Sequence, residues 1–507
     1  MTSCGKVYLV GGGPGDPGLL TLKGRDCLER ADLVLYDGLV NPLLLRHVSA
    51  RAERTCRSPG PDGRVLAQDD INRRLIAAAQ AGMTVVRLKG GDPFIFGRGS
   101  EEAAALVDAG IPFEIVPGIT AATAAGEYAG ISLTHREIAS AVAFVTGHED
   151  PTKSGSSVDY EHLAKFSGTL VFYMGLHRLG HIVESLIDGG KDPTTPACVI
   201  GRATTPQQQT VTAPLGELPA AVTAAKLRPP SLIIIGECVS MREKIAWFED
   251  KPLFGQRIGI TRPSGQAASA LDRALELGAE PVLIPTIQIL PPNDWSEIDS
   301  TLGRLADFDW VIFTSANGVN GLLDRLWSIG GDSRRLASAR LAAIGPATAA
   351  ALERYHLKAD VVPDSFCAEA LAEALCPQVG GQRILWARAS RGRDVLPQML
   401  EEAGGELQEL VVYRNEDVEV ISPAVIEQIG RGELDWIGLS SPSIARNLKD
   451  LLPETALARL GNSVRLASIS PVTTAAAKEV GLSVAAEAKD YTWDGIFEAI
   501  IDAELQN

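Results

Sequence analysis

The chain reads as an α/β protein in two halves, the second built from an internal repeat. Three observations predict this. Short apolar runs suited to buried strands (VYLV, ADLVLYD, TVVRLKG, AVAFVTGH, GTLVFYM, SLIIIGE) alternate with helix-like stretches over residues 1–245. The loops that follow these runs are rich in Gly, Pro and Thr. The segment GQRIGITRP, starting at Gly255, returns as GQRILWARA at Gly381, 126 residues later. Charged residues 242–250 give way to Pro252 and Gly255, so a linker is expected at 249–254 between domains spanning 1–248 and 255–507.

Composition narrows the function. The 507 residues suffice for several cores, and 45% apolar with 22% charged content is ordinary for a globular protein. A net charge of −16 argues against nucleic acid as a partner, because no broad basic face is available. A polyanionic substrate would have to be held by local arginines and backbone N–H groups against an unfavourable overall field. No apolar run reaches the roughly 18 residues of a membrane span, and MTSCGKVYLV lacks a signal-peptide pattern. The seven cysteines are scattered, with no CxxC pair, which suggests reduced thiols in the cytoplasm. His177 and His181 lie four apart but lack the Glu of a zinc helix, so a helix surface rather than a metal site is expected.

Along the first half, the first strand runs into VYLVGGGPGDPGLLTLKG. Gly13, Gly15 and Gly18 formally match GxGxxG, and Asp37 follows about twenty residues on, as in a dinucleotide site. Pro14 and Pro17, however, remove backbone donors where a phosphate-binding helix start would need them. Further loops follow the later strands: Gly90-Gly91-Asp92-Pro93-Phe94-Ile95-Phe96-Gly97-Arg98-Gly99, Pro117-Gly118-Ile119-Thr120, and Phe172-Tyr173-Met174-Gly175. The segment AATAAGEYAG is so poor in bulk that something must pack close to it.

The segments GPGDPGLLTLKG, LYDGLV, VVRLKGGDPFIFGRG, PGITAA, SLTHR, TGH, VFYMG and LIIIGE together resemble uroporphyrinogen-III C-methyltransferase, a tetrapyrrole methylase, over about residues 5–248. The resemblance implies two α/β domains with S-adenosyl-L-methionine folded between them, not a Rossmann methyltransferase. It implies methylation of two ring carbons of uroporphyrinogen III, giving precorrin-2 and S-adenosyl-L-homocysteine. Carried onto this chain, cofactor contacts fall on Pro14, Gly90, Gly91, Asp92, Ile95, Thr120, Ala121, Met174 and Ala203. Small residues and loop backbone suit an adenosine, Asp92 can accept from a hydroxyl or face the methionine amine, and Met174 offers a soft apolar wall. Asp37 stands where the family's proton acceptor lies; its alternative is a turn residue at a strand end. The family's Gly-Lys proton donor has no counterpart, because Pro59 occupies its place. Arg57 or Arg64 could restore the charge, but a guanidinium with a pKa above about 12 is a poor proton donor. Arg57, Arg64, His135 and Arg136 are candidates for substrate carboxylates or ordinary surface positions.

In the second half, the same offset aligns Gly278 with Gly404, Asp309-Trp310 with Asp435-Trp436, and Thr314-Ser315 with Ser440-Ser441. One residue less aligns Ile344-Gly345-Pro346 with Ile469-Ser470-Pro471. Two α/β units on one plan fit two similar lobes around a ligand cleft. The set ITRP, FTSANGV, AIGPATAAAL, GGELQELVVYRN, SSPSIARNL and SISPVTTAAA resembles uroporphyrinogen-III synthase over residues 255–505. That implies closure of hydroxymethylbilane to uroporphyrinogen III with inversion of ring D and loss of water, a lyase step needing no cofactor. The bilane's carboxylates suit arginines and helix N-termini. Arg262 and Arg388, at matching strand ends, are candidate carboxylate partners. The resemblance makes Tyr413 the group that helps the hydroxyl leave and Thr473 a substrate contact. Ser315 and Asn317 either face substrate or serve as cap and turn residues.

The whole is expected to be a bifunctional tetrapyrrole enzyme feeding sirohaem or cobalamin synthesis, working as a homodimer through its methylase half. The alternatives are a methylase with a degenerate tetrapyrrole-binding C-terminal half, or a dinucleotide-dependent oxidoreductase. No earlier strand–GxGxxG–helix unit precedes the first loop, so a fused dehydrogenase module is not expected.

Overall fold

Residues 4–55, 67–148, 158–392 and 395–506 are described by a computed structural model. The chain divides into two compact units, Met1–Arg257 with Arg273–Glu280, and Ile258–Asp272 with Pro281–Asn507.

In the first unit the apolar runs become two five-stranded sheets. The first holds β1 (Lys6–Gly11), β2 (Leu33–Asp37), β3 (Arg51–Thr55), β4 (Thr84–Lys89) and β5 (Phe113–Val116), all parallel in the order β3-β2-β4-β1-β5. Val7, Leu9 and Val10 are all fully buried, as continuous apolar runs are when both faces of a parallel sheet are covered. The second sheet holds β6 (Val142–Thr146), β7 (Thr169–Tyr173), β8 (Pro196–Gly201), β9 (Gln209–Pro214) and β10 (Ser231–Ile235), in the order β6-β7-β10-β8-β9. Here only β6 and β7 pair in parallel; β10 runs antiparallel to both neighbours, and β8 and β9 are antiparallel.

The helix Ala121–Tyr128 explains the segment poor in bulk. Ala122, Ala125 and Ala129 pack against Val171, Cys198, Ile200 and Ile234 of the second sheet, so small side chains let the helix lie close to it.

The second unit contains two further sheets. One is formed by β11 (Arg257–Ile260), β12 (Glu280–Leu283), β18 (Trp436–Leu439), β19 (Arg465–Ser468) and β20 (Ala486–Glu487), in the order β12-β11-β18-β19-β20. The other is formed by β13 (Ile287–Leu290), β14 (Trp310–Phe313), β15 (Arg340–Ala343), β16 (Arg383–Ala389) and β17 (Glu406–Asp417), in the order β13-β17-β16-β14-β15. The repeat is plain: β11 corresponds to β16, β12 to β17, β14 to β18 and β15 to β19. The two lobes are indeed similar, but neither is one repeat unit. Each sheet takes two strands from one unit and its remaining core strands from the other. Equivalent packing recurs in both: Arg340 lies 4.2 Å over the Trp310 ring and Arg465 lies 4.2 Å over Trp436.

Candidate functional site

The first site grows from three loops at the carboxyl ends of β1, β4 and β5, where open α/β sheets place their ligands. The glycines there serve loop against loop. Gly13 N donates to Gly91 O at 3.2 Å and Gly91 N to Gly13 O at 2.7 Å. A Cβ on Gly118 would stand 2.3 Å from Gly91 O and 2.7 Å from the Cα of Gly11. Gly13 and Gly91 also have positive φ, 75° and 67°, which only glycine takes without strain. The first loop then reaches the second sheet: a Cβ on Gly15 would meet Thr204 Oγ1 at 2.8 Å, and Asp16 N donates to that same hydroxyl. Tyr128 donates to Asp16 Oδ2 at 2.7 Å, and this contact, after burial, holds its phenol well above the usual range.

Of the expected cofactor contacts, those from Pro14 to Thr120 lie on these loops, Ala121 opens the helix that follows, and Met174 and Ala203 lie after β7 and β8 of the second sheet. Gly91 faces Ala121, with 3.7 Å from its ideal Cβ to Ala121 N. Thr120 Oγ1 lies 2.6 Å from Tyr173 OH, which also accepts from Ala122 N at 3.0 Å. The Tyr173 ring packs 4.8 Å from that of Phe96, and Ala121 and Ala203 border one core cluster. Ile95 and Met174 present exposed apolar side chains, Met174 from a left-handed backbone with φ 55°. Exposed apolar walls, small residues and loop backbone fit an adenosyl group. The two oxygens of Asp92 accept from Phe94 N at 2.8 Å and Gly118 N at 3.0 Å, tying the loops together, and each keeps capacity to accept a further hydrogen bond.

Asp37 ends β2 with its side chain 31% exposed. Behind it lies a cluster the sequence reading missed. Arg87 pairs with Asp37, and Lys89 Nζ stands 3.9 Å from its Oδ2. Both cations also meet Glu102 Oε1 at 3.1 Å, from Arg87 Nε and Lys89 Nζ. Gln68 Nε2 adds a third donor to that oxygen at 3.0 Å. Arg87, Lys89 and Glu102 are all buried. Burial, and then the neighbouring Arg87, push the Lys89 ammonium below its usual range. Residues 87 and 89 are two apart on one strand and so share a face, which was the available signal.

Of the candidate carboxylate ligands, Arg136 is exposed and His135 Nδ1 accepts from Glu137 N at 3.2 Å. Arg57, Pro59 and Arg64 lie outside the described residues. Among the described residues no group of three or more His, Cys, Asp or Glu could hold a metal ion.

In the second unit, β14 and β17 flank β16; Ser315 just past the end of β14 and Tyr413 within β17, opposite Ala389 at the end of β16, meet with their hydroxyls 3.0 Å apart. Ser315 is also the N-cap of the helix Ala316–Ser328, accepting from Gly318 N at 3.0 Å. Asn317 Oδ1 accepts from Gln266 Nε2 of the other lobe at 2.7 Å. Thr473 is buried, in the first turn of the helix Pro471–Glu479, with its hydroxyl 3.2 Å from that of the N-cap Ser470.

A family model for Tetrapyrrole (Corrin/Porphyrin) Methylases matches residues 6–219, and one for Uroporphyrinogen-III synthase HemD matches 269–498. A porphyrin biosynthesis protein HemD of Ruminiclostridium josui is 32% identical over 501 residues, covering 98% of both chains. The chain belongs to the fused tetrapyrrole methylase–uroporphyrinogen-III synthase family. A uroporphyrinogen-III C-methyltransferase of Bacillus subtilis is 39% identical over 363 residues, 71% of this chain and 74% of its own. A uroporphyrin-III C-methyltransferase of Thermus thermophilus, solved with S-adenyl homocysteine, is 40% identical with a TM-score of 0.40, covering 46% of this chain and 93% of its own.

Within the fused methylase–synthase, the two repeat-related arginines differ. Arg388 pairs with Glu409, donates from Nε to Ala389 O at 3.2 Å and stacks 4.3 Å from the Trp386 ring. Arg262 is half-buried, and burial alone lowers its guanidinium, with no described anion beside it. The sequence carried this signal too. Leu283 stands in the first repeat where Glu409 stands in the second.

Proposed function

We propose that this fused enzyme performs two consecutive steps. Its C-terminal half closes hydroxymethylbilane to uroporphyrinogen III with inversion of ring D. Its N-terminal half transfers two methyl groups from S-adenosyl-L-methionine to that product, giving precorrin-2 for sirohaem or cobalamin synthesis. The observation that carries the reading is that each half gathers polar groups beside strand ends: Asp37 at the end of β2 in the first, the Ser315–Tyr413 hydroxyl pair beside the ends of β14 and β16 in the second.

In the methylase, the bound cofactor supplies an electrophilic methyl group. The loop residues Pro14, Gly90, Gly91, Ile95, Thr120, Ala121, Met174 and Ala203 would hold it by backbone contacts and apolar walls, with Asp92 fixing the loop shape. Holding two reactants in line supplies much of the rate. Asp37 then accepts the proton the ring must lose. In the synthase, Tyr413 donates a hydrogen bond to the departing hydroxyl, with Ser315 holding the phenol. Arg262 pairs with a substrate carboxylate, and the starts of the helices Ala316–Ser328 and Pro471–Glu479, with Asn317 and Thr473, offer N–H groups to others. Arg388 shapes the strand end from within its own ion pair. The enzyme acts in the cytosol, in keeping with six described cysteines that are all free, and it pairs as a homodimer through the methylase half.

The test supplies hydroxymethylbilane with and without S-adenosylmethionine. Uroporphyrinogen III is expected without the cofactor and a dimethylated product with it. Formation of uroporphyrinogen I alone would exclude the synthase activity, and unmethylated uroporphyrinogen III would exclude the methylase. Sedimentation at micromolar concentration checks the dimer; a purely monomeric species would contradict it.

A further inference from the structure

Among the described residues, the charged groups in contact behind Asp37 are Arg87, Lys89 and Glu102. Arg87 and Lys89 extend from β4, the central strand of the first sheet, and Glu102 from the helix Gly99–Asp108. Thr55 on β3 lies alongside: its hydroxyl accepts from Arg87 Nη1 at 3.0 Å, donates to Tyr36 O at 3.0 Å and stands 3.4 Å from Asp37 Oδ1. Gln68, from the helix Gln68–Gln80, contributes its amide, and Arg54 donates to the Gly38 carbonyl at 3.4 Å. Among the described residues two cations face two anions, and of these four Asp37 has the substantial exposure.

Two adjacent buried cations need buried counter-charge, because several kcal/mol are lost for each ion taken from water without it. Glu102 supplies that charge from inside. One of its oxygens carries three donors, and the other is buried with no hydrogen-bond partner among the described residues. The cluster therefore divides the hold of the two cations between Glu102 and Asp37. It also connects two parts of the site, since Lys89 leads directly into Gly90-Gly91-Asp92, and a Cβ on Gly90 would stand 3.2 Å from Leu39 Cβ, just past Asp37.

We propose that Arg87, Lys89 and Glu102 are positioning residues that fix the Asp37 carboxylate at the end of β2 in the place where it meets the methylase substrate. This rests on the assignment of Asp37 as the proton acceptor. The three residues touch no substrate; they act through Asp37. Withdrawing a cation weakens the hold on the Asp37 carboxylate, whereas withdrawing Glu102 leaves that carboxylate as the one anion facing both cations.

The test measures methylation of supplied uroporphyrinogen III against pH in the full chain, with ring closure in the same chain as the folding control. Lys89→Met is expected to move the acid limb of the profile up by about one pH unit and Glu102→Gln to move it down by a similar amount. A merely structural cluster would lower both plateaus without opposed shifts. Thr55→Val, which alters no charge, removes the hydroxyl that accepts from Arg87 and is expected to move the limb by less, so it serves if a charge variant loses ring closure. Unmoved limbs, or limbs that move the same way in Lys89→Met and Glu102→Gln, overturn the proposal. Asp37→Asn separates it from the reading beneath. Full methylation by that variant overturns the proton-acceptor assignment itself, and the positioning role with it; lost methylation with unmoved limbs in the other variants overturns the positioning role alone.

Discussion

Replacing Gly118 by Ala tests whether the loop glycines serve the methylase by letting backbone meet backbone. The new methyl would lie 2.3 Å from Gly91 O, 2.7 Å from Gly11 Cα and 2.9 Å from Gly11 C. Ordinary carbon contacts lie near 3.5–4.0 Å, so about 1 Å of movement is required. All three obstacles are backbone, so no side chain can rotate away. Gly11 ends β1 inside the parallel sheet, leaving the loop at Gly91 as the part that yields. That movement strains the Gly13–Gly91 hydrogen-bond pair and the 3.0 Å bond from Gly118 N to Asp92. Overpacking of this kind costs about 1–3 kcal/mol of stability. A displacement of about 1 Å in a cofactor-holding loop can lower turnover about 100-fold. Methylation of supplied uroporphyrinogen III with labelled S-adenosylmethionine, alongside ring closure by the same chain, measures the effect. Ring closure should be unchanged. Methylation retained within about twofold would refute the reasoning.

Tyr413→Phe removes one hydrogen bond, about 1 kcal/mol, and should slow ring closure about fivefold or more while leaving methylation intact; equal loss of both activities would contradict separate sites. Arg262→Met should raise KM for hydroxymethylbilane with little change in melting temperature, whereas Arg388→Met, which loses the Glu409 pair and the Trp386 stack, should lower the melting temperature; the reverse pattern would refute the distinction. Lys23, then Lys6, hold Glu114 at about 2, below its ordinary 4.5, so its contribution to stability is present above about 4.5 and lost as pH falls through about 2. Glu114→Gln should therefore narrow the melting-temperature gap to the parent as pH falls through that window, and a constant gap would count against it. Burial pushes the Cys198 thiol up to about 12, so iodoacetamide at pH 8 should leave it unlabelled in the native chain, and rapid labelling would show that its core opens.

Much of the architecture was legible because buried strands announce themselves as apolar runs. Val7–Val10 and Ser231–Ile235 each became a strand where the pattern placed one. Pairing direction was not legible, since an apolar run reads alike whether its neighbour is parallel, as for β1, or antiparallel, as for β10. The glycine loops were visible, yet their purpose lay in contacts between residues far apart in sequence, such as Gly11 with Gly118. Asp37 entered through family likeness. Its supporting charges escaped notice because Glu102 sits on a later helix, and only the fold brings it beneath Arg87 and Lys89. The difference between Arg262 and Arg388 was written in the repeat, in the exchange of Leu283 for Glu409, but required following the partner as well as the arginine.

The strand orders of the second unit carry one more consequence. The chain leaves the first lobe after β12, builds all of the second lobe as β13–β17, and returns for β18–β20. The second lobe is thus an insert within the first, and its two ends adjoin: Ile287 pairs with Asp417, and Val418 N donates to Thr286 O at 3.1 Å. Ends that close make a segment separable. Residues 287–417 form the piece to excise as an independent fold, and a short turn in their place would let the remaining strands close over the gap. Cutting instead at the repeat junction near Gly381 would strand half of each sheet on either fragment. Each fragment would then need its counterpart before either sheet could be completed.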